Sequence, residues 1–136
     1  MRYLLDTNVV SNPVSRRPSV RTLRMLESHG AACAVPAPVW HELLFGCERL
    51  PRGKRRLEIE EYFRTVVAPA YPVFSYDESA AAIHAAERAR LEAAGRAMPF
   101  VDGQIAAIAV ANDLVLVTEN ARDFRGFRGL EIEDWS

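Results

Sequence analysis

Apolar residues along this chain fall into two alternating patterns. Short continuous runs at residues 2–5 (RYLL), 33–35 (CAV), 72–74 (PVF), 114–117 (LVLV) and 130–132 (LEI) predict five β-strands. Between them lie longer segments in which apolar residues recur every three or four positions, as on one face of a helix. In residues 18–30, Val20, Leu23 and Leu26 form such a stripe and Gly30 is the stop. Residues 38–50 open with Pro38, whose missing N–H suits a first helical turn. Within them Leu43, Leu44 and Gly46 predict a face packed closely against a sheet. Residues 53–67 and 77–95 complete the amphipathic set, the latter capped by Asp77 and stopped by Gly95. Residues 101–114 are small and apolar on nearly every side, so this helix is expected to be buried.

Strands alternating with helices predict an α/β fold, a parallel sheet with helices on both faces. No repeat, low-complexity segment or linker interrupts the pattern, so residues 1–136 are expected to form one domain. In sheets of this kind the working residues gather beyond the carboxyl ends of the strands. The first strand stops at a carboxylate, Asp6. A charge at the edge of a core is expensive unless something pairs with it, and the short segment TNVVSN that follows offers a helix to cap.

Composition narrows the possibilities. Of 136 residues, 49% are apolar and 26% charged, with a net charge of −1, so no global basic excess marks a nucleic-acid binder. Any such contact must come from a local patch. Cys33 and Cys47 lack C-x-x-C spacing and have no histidine partner nearby, and are expected as reduced, partly buried thiols. A carboxylate arrives too early for a signal peptide, and no apolar run reaches the ~20 residues of a membrane span. A cytoplasmic protein without a membrane role is expected.

Other acids are placed to join Asp6. Asp102 opens the buried helix, Glu42 lies one turn into the helix after the second strand, and Asn120 and Asp123 follow the fourth strand in TENARDF. Singly each has an ordinary reading: Asp102 an N-cap, Glu42 a solvated helix residue, Asp123 a loop polar group. Together, carboxylates on one sheet edge repel and raise one another's pKa, a conflict that a divalent cation removes. Oxygen ligands favour Mg²⁺ or Mn²⁺, and the chemistry such a site suits is phosphodiester hydrolysis.

The stretches YLLDTNVVSNPV, HELLFGCERL, FVDGQIAAIAVANDLVLVTENARDF and GLEIEDW, in this order and spacing, resemble PIN-domain ribonucleases, specifically VapC toxins of type II toxin–antitoxin pairs. The resemblance spans essentially the whole chain. It implies a PIN-like three-layer α/β/α sandwich with a central parallel β-sheet, and Mg²⁺-dependent cleavage of RNA, with Mn²⁺ able to substitute. Asp6, Glu42 and Asp102 stand at the family's three core acids, as metal ligands, with Glu42 also helping to deprotonate water. The fourth position falls at Asn120, a departure from the aspartate of many members that bears on a second ion. Thr7, Asn8, Thr118 and Asn120 are candidates to orient water or phosphate. The resemblance also implies an RNA substrate, transfer or ribosomal RNA among the options, a homodimer, and inhibition by a VapB-type antitoxin.

Basic residues supply the local patch. RLPRGKRR at 49–56 holds five cations, and Lys54, Arg55 and Arg56 fall in a first helical turn, where the dipole disfavours them. RNA phosphate is one partner that would favour Arg52, Lys54 and Arg55 there. Arg122, Arg125 and Arg128 flank the acids and are placed to grip a strand leaving them. Trp40, Phe45, Tyr62, Phe63 and Trp135 read as core or interface packing, and His29, His41 and His84 as isolated packing residues. Two rival readings stand beside the nuclease. One is a catalytically weak PIN domain serving as an RNA-binding scaffold. The other is a phosphotransferase with Asp6 as nucleophile, which Asn8 disfavours because that chemistry calls for a second acid there.

Overall fold

The structure, a computed structural model, describes residues 1–136. In chain order it runs β1 (Tyr3–Leu5), α1 (Thr7–Ser11), a 3₁₀ turn (Asn12–Val14), α2 (Val20–His29), β2 (Cys33–Pro36), α3 (Ala37–Glu48), α4 (Lys54–Tyr62), α5 (Ala68–Ala70), β3 (Val73–Phe74), α6 (Glu78–Ala93), α7 (Phe100–Ala111), β4 (Val115–Val117), α8 (Ala121–Phe124) and β5 (Ile132–Glu133). All strand pairs are parallel and the order is β3-β2-β1-β4-β5, with helices covering both faces as the alternating pattern predicts. β1, β2 and β4 are buried throughout, which is why their sequences are continuous apolar runs rather than alternating ones. Twenty-five buried residues form one continuous core, from Tyr3 on the central strand to Trp135. No helix is long and apolar enough to cross a membrane. Cys33 and Cys47 are both buried and unpaired, and burial pushes the Cys33 thiol up to about 12.

Several boundaries move for local reasons. α2 starts at Val20 because Ser19 takes the N-cap, its hydroxyl accepting from the Thr22 amide. The fifth strand falls at 132–133 rather than 130–132. Gly129, at φ 79°, is still turning the chain, and pairing with β4 begins only when the Leu116 amide reaches the Glu131 carbonyl. The helix expected over 53–67 leaves α geometry after Tyr62, passes through a π-turn at Phe63–Val67 and ends in α5. On α3 the face against the core is Val39, Leu43 and Cys47, spaced by four, not Leu44 and Gly46. Leu44 and Phe45 are exposed, and a Cβ on Gly46 would meet nothing within 4 Å. Phe45 therefore lies outside the core, stacked on His41.

α7 is the buried helix, with Gly103 and Ile105 through Ala109 inaccessible. α6 lies across it through Ala80, His84, Glu87 and Leu91, one face of a helix capped by Asp77 on the Ala80 amide. At their crossing the His84 ring sits on the backbone of Gly103, where an added Cβ would stand 2.3 Å from Nε2. The Tyr76 hydroxyl, 2.8 Å from His84 Nδ1, fixes the ring from the other side. Lower on α6, Glu87 accepts from Arg90 and from the Arg128 amide, while Arg90 also reaches the Gly126 carbonyl, clasping the segment after α8.

Candidate active site

The strand order reverses direction between β1 and β4, which opens a crevice beyond their carboxyl ends. The residues that immediately follow those two strands meet there. The Asp6 amide donates to the Val117 carbonyl (2.9 Å), and the Asp6 side chain is buried. Its Oδ1 accepts from the Thr7 amide (2.8 Å), capping α1, and its Oδ2 accepts from the Thr118 hydroxyl (2.8 Å). Thr118 is fully buried, and its Oγ1 in turn accepts from the Asn120 amide (3.0 Å). Two hydrogen bonds thus hold a buried carboxylate in one orientation without neutralising it.

Asp102 faces this pair from the first turn of α7. Pro99, not Asp102, is the N-cap, which leaves the Asp102 carboxylate unused by the helix. Its pKa is raised to about 6, first by burial, then by the negative charges of Asp6 and Asp123. No basic side chain lies within 4 Å of any of these three acids. Two hard oxygen donors, one hydrogen-bonded into place and one destabilised as an anion, make a donor set that fits a divalent cation.

The remaining predicted residues are distributed unevenly. Thr7 is half-buried beside Asp6, and Asn8 is exposed one position on. Asn120 is exposed at the start of α8 and makes no side-chain cap. Arg122 is exposed on the same helix and makes no ion pair, and Asp123 joins the site through its field. Glu42 stands apart: its exposed carboxylate leans on His41 Nδ1 at 3.8 Å, and it is not among the charges acting on Asp102. As the side chains stand, no three of His, Cys, Asp or Glu close around one position.

The basic stretch has structural partners that its sequence did not reveal. Arg56 is bound to Glu60 (2.7 Å), Glu48 (3.2 Å) and the carbonyls ending α3, and Arg55 to the Val14 carbonyl (2.6 Å) and Glu58. These contacts, rather than phosphate, offset the helix dipole at those two positions. Arg52 and Lys54 remain exposed without a carboxylate partner. Sequence reasoning missed the His84–Gly103 packing directly behind Asp102. Its one signal was a glycine inside an otherwise apolar helix, next to the acid.

The sequence profile of the PIN domain matches residues 3–130. The chain belongs to the PIN-domain family. This PIN domain is 31% identical over 136 residues to the tRNA(fMet)-specific endonuclease VapC of Shigella flexneri, covering 100% of this chain and 99% of that one. Among solved structures it superposes on FitAcB from Neisseria gonorrhoeae with a TM-score of 0.87 at 28% identity, covering 96% of this chain and 95% of that one. DNA-bound VapBC from Salmonella typhimurium gives 0.83 at 27% identity, covering 100% and 99%. Within the PIN family the chain is thus of the VapC ribonuclease-toxin type.

Proposed function

We propose that this PIN domain, acting as one unit over residues 1–136, is a Mg²⁺-dependent endoribonuclease in which Asp6 and Asp102 hold the ion. The observation that carries the reading is the pair of carboxylates at the β1/β4 crevice, Asp6 locked by Thr7 and Thr118 and Asp102 facing it, with no cation of the protein's own beside either. Glu42, exposed and held only by a long contact to His41, is free to turn toward the same ion or its water. Hydrolysis adds water across a P–O bond: the water oxygen bonds to phosphorus, its proton passes to a base, and the leaving oxygen takes up a proton. When bound, Mg²⁺ acidifies that water and neutralises charge on the phosphate. Thr118 keeps Asp6 aimed, Asn120 orients the phosphate or water, and Thr7, Asn8 and Arg122 line the approach.

The partners follow the relatives. The solved neighbours FitAcB and DNA-bound VapBC support a VapB-type antitoxin as the inhibitor, and the working form proposed with it is a homodimer. A cytoplasmic location and a transfer or ribosomal RNA substrate fit the same company, one relative being a tRNA(fMet)-specific endonuclease.

The test is incubation of antitoxin-free protein with total cellular RNA, with Mg²⁺ or with chelator, beside Asp6→Asn. Discrete fragments that require both the metal and Asp6 are expected, and mapping their ends names the target. The separation of Glu42 from the other two acids favours one alternative, a weakly catalytic RNA-binding scaffold. Intact RNA bound by folded, metal-loaded protein would establish that reading instead.

A further inference from the structure

The protein's net charge of −1 conceals a strong segregation of its cations. Nine of its 17 basic residues lie in two short stretches without a single acid: Arg16, Arg17, Arg21 and Arg24 in residues 15–24, and Arg49, Arg52, Lys54, Arg55 and Arg56 in residues 49–56. Far apart in sequence, the two are joined in the fold. Arg55 at the start of α4 donates to the Val14 carbonyl (2.6 Å), and Tyr62 at its end donates to the Val10 carbonyl (2.6 Å), so α4 is fastened along α1 and the 3₁₀ turn. Arg16 and Arg17 follow that turn directly.

Their loop is built rather than loose. Asn12 is buried, its Oδ1 accepting from the Ser19 amide (2.9 Å) and its Nδ2 donating to the Ser19 carbonyl (3.2 Å), which ties both ends of the loop together. The Ser15 hydroxyl closes onto the Asn12 carbonyl (2.8 Å). Arg16 and Arg17 project from this tied loop, exposed and without a carboxylate within 4 Å, as do Arg52 and Lys54. Like charges gathered on a fixed frame and left unneutralised call for a polyanion, and the fixed frame lowers the ordering cost of binding one.

The same frame connects the loop to Asp6. α1 and the 3₁₀ turn lead from Asp6 to Val14 over about 14 Å, at ~1.5 and ~2 Å per residue. That span is on the order of four nucleotides of a stacked strand at ~3.4 Å each. We propose that Arg16 and Arg17, together with Arg52 and Lys54, form one composite surface that binds the phosphate backbone of single-stranded RNA flanking the bond cut at Asp6. The assignment rests on the ribonuclease reading above. It adds Arg16 and Arg17 to the substrate path, and it leaves Arg55 as the strut that joins the two halves.

The experiment is fluorescence anisotropy of a labelled single-stranded RNA oligonucleotide, in chelator to prevent cleavage, across a potassium chloride series. Each lost phosphate contact on a single strand removes about 0.7 from the slope of log K against log salt. Arg16→Gln/Arg17→Gln is therefore expected to lower the slope by about 1.4 and to weaken binding about 25-fold near ~0.1 M salt. Arg52→Gln/Lys54→Gln should do the same, and the fourfold variant should lose about twice as much slope. Arg64→Gln, which changes the same kind of charge at a residue already paired with Glu61, is the control and should barely move it. A slope for Arg16→Gln/Arg17→Gln equal to that of the control overturns the proposal and leaves these arginines to an acidic protein partner. Because wild-type cleavage is scored separately, an intact nuclease with unchanged slopes refutes this surface alone. Absence of any RNA cleavage refutes the underlying reading.

Discussion

Replacing Gly103 by alanine puts a methyl group 2.3 Å from His84 Nε2 and 2.7 Å from Cδ2, well inside contact distance. The ring cannot easily yield, because Tyr76 holds Nδ1 at 2.8 Å and the Phe100 ring lies tilted against it with centroids 4.9 Å apart. In an exposed helix the same change would stabilise by roughly 1 kcal/mol through propensity. Overpacking a dense core costs roughly 1–3 kcal/mol, and a clash this close with a pinned ring belongs at the upper end. The net expectation is a loss of about 2 kcal/mol. Removing the ring reverses the sign: in a His84→Ala background, Gly103→Ala should be neutral or stabilising, for a coupling of about 2–3 kcal/mol. Urea unfolding of the four proteins in the cycle measures it. A stabilising Gly103→Ala in the wild-type background would refute the reasoning, since the ring would then not constrain the helix that carries Asp102.

Other expectations follow from the same geometry. Thr118→Val keeps the shape but strips Asp6 of one donor and leaves the Asn120 amide without its acceptor. A stability loss of about 1–2 kcal/mol in urea unfolding is expected, together with slower cleavage, and unchanged values for both would remove Thr118 from the site. Asp102, raised to about 6 in the fold, binds its proton more tightly folded than unfolded. From this group the metal-free protein gains stability as pH falls from ~7 through ~6 toward the unfolded value of ~3.9. Thermal melts should show that gain, and Asp102→Asn or Mg²⁺ at neutral pH should abolish it. Glu87 runs the opposite way: Arg90 and the Arg128 amide hold it down to about 2, so its contribution is complete above ~4.3 and disappears as pH falls toward 2. Glu87→Gln should flatten that acid limb of the melting curve.

The strands and the buried helix were legible because burial on both sides leaves no room for polar residues, so LVLV and the run around IAAIAVA announce themselves. Asp6 was legible for a related reason, since a charge closing a buried strand stands out against its neighbours. What failed to show in the sequence depends on contacts between distant segments. Arg55 and Arg56 pair with Glu58 and Glu60 at ordinary helical spacing, but their other partners are a carbonyl of the 3₁₀ turn and the far end of α3, which no local pattern records. Leu44 and Gly46 were misassigned because a helix mostly apolar around its circumference does not declare which stripe faces inward; Val39, Leu43 and Cys47 do so only in three dimensions. Glu42 was expected at the acids from its place in the sequence, yet its side chain points at His41, and a rotamer is outside what spacing encodes.

The bond between Asp6 and Thr118 joins residues 112 positions apart, and the β1–β4 ladder that brings them together is likewise the longest-range pairing in the sheet. β1 can pair with β2 while the chain is still being made, but the crevice has no second wall until β4 has emerged and slotted in beside β1. Long-range parallel pairing is slow to form. Until that pairing forms, Asp6 lacks its Thr118 partner and the crevice stays open on one side, so the sheet and the site are completed in the same step.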